Sequence, residues 1–503
     1  MKRAHMIFRS ALVVLAIATP AFSQDAAKPS RDEFFWLGQF NKAAVVMLLE
    51  QHVIDADLAR AIADGVAKVI VAGDVPGARR PNVASYLQLE QQLIAVAGPD
   101  ATRIHSGRSR QDLQATSNRT QVRERVLTVM ADLITVRTRL RAISEKNVDT
   151  IIPSYTNGVQ AQPITLAHYL LAFEAALSRD TERLRQSFAR INLSPLGAAA
   201  LGTSSFPISR PRLATLLGFY GPVENSYDAN LVSSMDTLLE PLNIVEGSAL
   251  TVSALVEDIV AQYRSVQPWL LLREGDLTGP STIMPQKRNP FGLNVVRQTA
   301  STVVADTAAF VLQAHNVSPG MLDYKTGQPQ KALDDATLML VQLDKMLGTL
   351  VVNRDQALAE VNADYSTTTE LADVLQREYN VPFRVGHGFA SDLVTYGRNN
   401  HLTPAQLPYE EAQKAFAKAL QDSKLPPRNF PMPDDQFHRV LTAQNMVKSS
   451  TGLGGPQPAE VERMLGTAQA RLDADKQWLS DTRTALDKSE TDLNSAFDRL
   501  RTH

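Results

Sequence analysis

Cysteine is absent from the 503-residue chain, which excludes disulfides, thiolate metal sites, iron–sulfur clusters and lipid attachment at a cysteine. Nor is there an excess of charge of one sign. The 51 Lys and Arg stand against 53 Asp and Glu without strong clustering, a net charge of −2, so the basic footprint of a nucleic-acid binder is missing and no nucleic-acid partner is expected. Convincing apolar–polar alternation, the mark of half-buried strands, is lacking, and no segment repeats with a fixed period of about 20–50 residues. Paired His, Asp and Glu at metal-ligand spacings are also missing, so no metal is expected. Gly452-Leu453-Gly454-Gly455 lacks the strand–turn–helix setting of a dinucleotide loop. What is plentiful is aliphatic: 44% of residues are hydrophobic, enough for two or three packed domains and incompatible with low-complexity disorder.

One short, uninterrupted apolar run stands at the start. Lys2, Arg3 and Arg9 precede Ala11–Ala18, and Ala21-Phe22-Ser23 is a small-x-small motif before Gln24. This is the three-part pattern of a secretory signal peptide, because so short a run cannot span a hydrocarbon core of ~30 Å. Cleavage after Ser23 would remove three positive charges (Lys2, Arg3 and Arg9) and take the net charge of −2 down to −5. The expectation is an exported protein, periplasmic in a diderm bacterium, with no membrane segment in its mature form.

Beyond residue 25 the periodicity is helical. Val122, Val126, Met130, Leu133, Val136, Leu140 and Ile143 recur at steps of three and four and form one apolar stripe. Similar stretches cover roughly 164–191, 235–266, 293–314 and 332–351. The pattern predicts an all-α chain with an N-terminal helical domain over 24–118, a central bundle of long helices over 119–358, and a C-terminal helical domain over 359–503. The stretch around Ile244, Val245, Leu250, Val252, Leu255, Val256, Ile259 and Val260 is apolar on more than one face, which points to oligomerisation through the bundle. Leu465, Leu472, Leu479, Leu486 and Leu493 follow at intervals of seven, fitting either a coiled-coil-like helix or a surface helix with one docked stripe.

Three polar segments, punctuated by Gly or Pro, interrupt the helices: 103–118, 153–163 and 277–290. Loops at helix ends are where a helical scaffold tends to carry its chemistry. The third reads Gly279-Pro280-Ser281-Thr282-Ile283-Met284-Pro285-Gln286-Lys287-Arg288-Asn289-Pro290 and gathers hydroxyls, cations and an amide. The first contains Ser106-Gly107-Arg108-Ser109-Arg110-Gln111-Asp112, in which the fork of donors on Arg110 suits a carboxylate. The second contains Tyr155-Thr156-Asn157 and Gln162-Pro163-Ile164-Thr165.

The third string resembles the signature loop of the aspartase/fumarase superfamily, a Gly and two hydroxyl residues followed by Met-Pro-x-Lys-x-Asn. The first resembles the argininosuccinate lyase version of that superfamily's first region, and the second resembles its second region. Ser194-Pro195-Leu196-Gly197, Phe206-Pro207-Ile208, Glu224-Asn225-Ser226-Tyr227-Asp228-Ala229, Val381-Pro382-Phe383-Arg384 and His387 agree with the same branch. The likeness is dense over about 103–300, thinner over 34–60 and 366–390, and fades after about 461. It implies a three-domain all-α fold and a homotetramer with a 20-helix core and active sites shared between subunits. The implied reaction is β-elimination of an amine or guanidine from an N-substituted aspartate, releasing fumarate without a cofactor. By the same resemblance Ser281 is the general base, Lys287 and Asn289 stabilise the carbanion's charge, and Ser109, Arg110, Gln111, Thr156, Asn157, Gln286 and Tyr324 bind substrate, a small dicarboxylate.

Several positions depart from the pattern. Where the family has a histidine acting in acid chemistry, paired with a glutamate five residues beyond the signature Asn, this sequence has Asn157 and Asn294. Neither amide relays a proton. The residue after Ser-Arg is Gln111 rather than Asn, and the region Tyr324–Lys331 fits only with a one-residue shift. Two readings follow. Either the nitrogen leaves from a substrate in which it is already protonated, as in argininosuccinate or an aminopolycarboxylate, or catalysis is lost and the protein binds a small polyanion or serves structurally. A cycloisomerase acting on carboxymuconate is the third alternative. His105, beside the Ser-Arg loop, is the candidate substitute acid.

Overall fold

The computed structural model describes residues 31–321 and 328–502; the expected signal segment 1–23 and Tyr324 lie outside them. The chain opens with α1 (Glu33–Glu50), α2 (Ala56–Gly73) and α3 (Tyr86–Ala97). Asp32 and Asp55 start the first two helices by accepting hydrogen bonds from the backbone N–H groups of Phe35 and Leu58, groups that lack partners within the helix. Trp36, Phe40, Val45 and Leu48 bury α1 on most of its faces. The N-terminal core also takes in Leu213, Phe219, Leu493 and Phe497 from distant parts of the chain.

Then follow α4 (Arg110–Glu145), β1 (Ile151–Thr156), β2 (Val159–Thr165), α5 (Leu166–Ile191), α6 (Arg210–Leu216), α7 (Ser233–Gln262), β3 (Leu270–Leu272), β4 (Gly279–Pro280), β5 (Arg288–Asn289), α8 (Phe291–Ala314), α9 (Pro329–Leu347) and β6 (Leu350–Val352). Helices α4, α5, α7, α8 and α9 form the main core. The stripe on α4 is buried from Val122 to Leu140, as a period of 3.6 residues requires. The 118/119 divide falls inside α4, because a capping box at Ser109 and Asp112 starts the helix at Arg110.

The strands are the part the helical reading leaves out. Segment 153–163, expected as a loop, belongs to an antiparallel hairpin in which Thr156 pairs with Val159 across Asn157-Gly158. Both turn residues have positive φ, 52° and 76°, the type I′ geometry that suits the right-handed twist of two strands. The pair β3–β6 aligns Leu270 with Val352, and β4–β5 aligns Gly279 with Asn289.

The third core gathers α11 (Thr368–Tyr379), α12 (Phe383–Asn399), α13 (Tyr409–Asp422) and α14 (Asp434–Val440), flanked by α10 (Arg354–Ala363) and α15 (Ala443–Ser449). The last helix, α16 (Pro458–Thr502), has 45 residues. Its leucine stripe docks on the chain itself: Leu472 and Leu479 lie in the main core and Leu493 in the N-terminal one. Among the described residues no helix is long and apolar enough to cross a membrane.

Candidate active site

The signature segment is a small hairpin closed by β4 and β5. The Ser281 N–H donates to the Lys287 carbonyl at 3.2 Å, and the Lys287 N–H donates to the Met284 carbonyl at 3.1 Å. Gly279 sits against the Phe291 ring so closely that a Cβ would clash with the ring edge. Glu274 and Arg288 bridge the base of the hairpin at 3.0 Å. The tip is open: Gln286 and Lys287 are exposed, Asn289 is half-buried, and Ile283 is 82% exposed. The Ser281 hydroxyl oxygen accepts backbone N–H bonds from Met284 at 3.2 Å and Ile283 at 3.4 Å. Donors aimed at a hydroxyl oxygen favour its deprotonated form.

At the opposite end of the bundle, Ser109 caps α4. Its hydroxyl accepts from the Gln111 N–H at 3.1 Å, and its own N–H donates to Asp112 at 2.7 Å. Asp112 is wholly buried, and burial pushes its carboxyl up to about 6 against the N–H bonds of Gly197 and Ser109. Arg108 is a tether, donating to Asn41 at 2.9 Å and to the Tyr86 hydroxyl at 2.6 Å. Arg110 and Gln111 instead line a cavity of about 730 Å³ with Asn118, Gln330 and Lys331. A helix N-terminus carrying an arginine, opening on a polar cavity, suits a carboxylate. Asp306 and Asp335 hold the Lys331 ammonium at 2.5 and 2.8 Å.

The β1–β2 hairpin presents Thr156 and Asn157, both exposed at its tip. Tyr155 ties it to α10 through Glu360, and Gln160 donates to the Val361 carbonyl and the Ser366 hydroxyl, each at 3.1 Å. Asn294 lies exposed on the first turn of α8, on a different element from Asn157. His105 packs edge-on against Tyr86 with Glu90 3.3 Å away. Burial and then the Arg108 charge hold its imidazole down to about 3, so it is neutral near pH 7 and no substitute acid. His168 is a tether, half-buried, with Nε2 2.9 Å from the Gly454 carbonyl.

Within this chain these groups do not converge. Phe310 lines the Arg110 cavity, whereas the Ser281 hairpin precedes Phe291 at the other end of the 24-residue α8, a separation of roughly 30 Å at the helical rise. Tyr324 lies outside the described residues. The sequence motifs contain Asp112 and Tyr155 without giving either a role, and they omit Gln160; a Ser-x-x-Asp capping box and an Asn-Gly turn flanked by β-formers are the available signals.

An all-α bundle of long helices, with a hydroxyl-bearing signature hairpin and a carboxylate-suited helix terminus, is the architecture of the fumarase/aspartase lyases. Residues 81–305 match the lyase family model, and residues 365–448 match that of the argininosuccinate lyase C-terminal region. Argininosuccinate lyases of Methanococcus maripaludis (strain C5 / ATCC BAA-1333) and Methanocaldococcus jannaschii are each 31% identical, over 90% and 86% of this chain and 92% and 87% of theirs. An EDDS lyase crystallised with formate superposes with a TM-score of 0.87 at 27% identity, covering 93% of this chain and 92% of that one. A 3-carboxy-cis,cis-muconate lactonizing enzyme from Pseudomonas putida shares the fold, with a TM-score of 0.66 at 16% identity over 87% and 96% of the two chains. The chain belongs to the argininosuccinate lyase family and is a carbon–nitrogen lyase.

Proposed function

We propose that the protein eliminates an amine or guanidine from an N-substituted aspartate, with argininosuccinate and EDDS-type aminopolycarboxylates as the candidate substrates, and releases fumarate. The Ser281 hydroxyl carries the reading: two backbone N–H groups address its oxygen, a setting that favours the alkoxide a base must become. Having given its own proton to solvent, Ser281 takes one from the carbon next to a substrate carboxylate. That carboxylate becomes a doubly negative aci-form. Lys287 and Asn289 supply cation and amide donors to it, the largest contribution to lowering such a barrier. The C–N bond then breaks with its electron pair going to nitrogen. A guanidinium or ammonium leaves as a neutral base and needs no enzymic acid, consistent with the amides at Asn157 and Asn294. Ser109, Arg110, Gln111, Thr156, Asn157, Gln286 and Tyr324 bind the dicarboxylate.

The separation of Ser281 from Arg110 supports a site built from neighbouring protomers of a homotetramer. Mixing Ser281→Ala with Arg110→Ala, each inactive alone, is expected to restore part of the activity on reassembly. The N-terminal pattern over residues 1–23 supports export to the periplasm, tested by N-terminal sequencing of the protein recovered from that fraction.

The primary test is fumarate release, read by ultraviolet absorbance, on argininosuccinate, EDDS and other N-substituted aspartates. We expect turnover on at least one and its loss in Ser281→Ala. The missing His–Glu pair favours a second reading, a catalytically impaired polyanion-binding or structural protein, and no fumarate from any substrate with tight dicarboxylate binding would establish it. A lactone product from carboxymuconate would replace both readings.

A further inference from the structure

We propose that Gln114 and Asn118 determine specificity for the amine half of the substrate, a role that rests on the elimination proposed above. They select N-substituted aspartates whose nitrogen carries a chain ending in an uncharged hydrogen-bonding group, such as a carboxamide. Gln111, Gln114, Asn118 and Gln121 recur on α4 at steps of three and four, which puts four carboxamides on one face of the helix. All four line the Arg110 cavity. A solvated helix face is exposed and rich in charge; here Gln111, Gln114 and Asn118 are half-buried and Gln121 is buried. Gln114 donates to the Asn118 side-chain oxygen at 3.3 Å, and Gln330 reaches the same oxygen at 3.5 Å. Gln114 Oε1 and Asn118 Nδ2 make no hydrogen bond among the described residues. One acceptor and one donor remain for a ligand.

Position along the helix says which half of the substrate they meet. Gln114 and Asn118 lie one and two turns beyond Arg110, roughly 6 and 12 Å along the axis. An aspartate whose carboxylate meets Arg110 therefore carries a nitrogen substituent of several atoms past both amides. Charge then selects the end group. Of the other charged groups on this cavity, Lys331 is held by Asp306 and Asp335, and Asp334 by Arg125 at 2.8 Å. Glu33 accepts from the Val83 N–H at 2.9 Å. An end group with a charge would lose water at the amides, which carry no opposite charge to replace it. An alkyl end would leave both amides desolvated and unpaired, the condition under which hydrogen-bonding sites discriminate most strongly. A carboxamide meets the acceptor with its N–H and the donor with its carbonyl.

The test is calorimetric titration of the full protein carrying Ser281→Ala, so that ligands bind without turning over. The ligands are aspartates bearing on nitrogen straight chains of equal length, ended by carboxamide, methyl, carboxylate or ammonium. The carboxamide compound is expected to bind about 10-fold or more tighter than the methyl one, the size of one hydrogen bond, and tighter than either charged one. Adding Gln114→Leu and Asn118→Leu should erase that preference. The nearly isosteric Asn118→Asp should instead favour the ammonium compound. Fumarate release on the same four compounds is read in parallel with Ser281 intact. The same order of binding without any fumarate would remove the elimination and keep the selectivity. Fumarate from all four at equal kcat/KM would keep the elimination and overturn the selectivity. The proposal is also overturned if no compound binds, if the carboxamide is not the tightest, or if the variants keep the wild-type order.

Discussion

The Asp112 carboxylate accepts a hydrogen bond from the backbone N–H of Gly197 at 2.9 Å. Its other oxygen takes the N–H of Ser109 at 2.7 Å, so one buried acid ties the cap of α4 to the segment following α5 and fixes where Arg110 begins the helix. Burial holds this carboxyl up to about 6, above its unfolded range near 4. Between about pH 4 and 6 the folded state therefore retains a proton that the unfolded state has lost, and the stability from this group falls as pH rises. In Asp112→Asn the slope of stability against pH over this range should be more positive than in the wild type, measured by urea unfolding. A steeper fall in the variant would contradict the assignment.

Arg137 is 0% exposed in the core. It donates to Glu174 at 2.9 Å, Asp475 at 2.6 Å and the Ser178 hydroxyl at 2.9 Å, joining α4, α5 and α16. Deleting one partner of a buried pair strands the other charge, so Glu174→Ala should cost about 3–5 kcal/mol, read from urea unfolding. Replacing Arg137, Glu174 and Asp475 together by Met, Leu and Leu should recover most of that loss. Equal losses in the single and triple variants would show that packing, not the stranded charge, sets the cost.

Much of this was legible in one chain because the signals are local. The stripe from Val122 to Leu140 is buried as its spacing requires, and Ser281, Lys287 and Asn289 fall in one hairpin. Asn157-Gly158 was readable as a turn signal, but Pro153 and Pro163 lower the apparent strand propensity of its flanks. The heptad leucines of α16 fit a partner helix and the chain's own bundle equally well, and only packing decides between them. Why Arg110 lines a cavity while Arg108 is tied to Asn41 and Tyr86 depends on which elements surround each guanidinium, and sequence spacing does not encode that.

His105 tests the need for an enzymic acid. Its imidazole is held down to about 3 by burial and the Arg108 charge, so it carries no exchangeable charge across the working range. His105→Gln should leave the pH dependence of kcat for fumarate release unchanged, and the histidine resonances should show no titration at this residue above pH 5. Loss of the basic limb of the profile in the variant would return His105 to the mechanism.

Gly279 links backbone geometry to catalysis. A Cβ there would clash with the edge of the Phe291 ring, and Ser281 lies two positions along the same hairpin. Phe291 is 50% exposed, so its ring can swing outward, and Gly279→Ala should cost only about 1–3 kcal/mol of stability. Any part of the clash that the hairpin takes up displaces Ser281, and a misplacement of about 1 Å at a reacting group can cost on the order of 100-fold in rate. Gly279→Ala is therefore expected to lower kcat for fumarate release much more than it lowers stability. Adding Phe291→Ala removes the clash and should restore a large part of the rate. If the double variant is no faster than Gly279→Ala alone, the ring is not what positions the Ser281 hairpin.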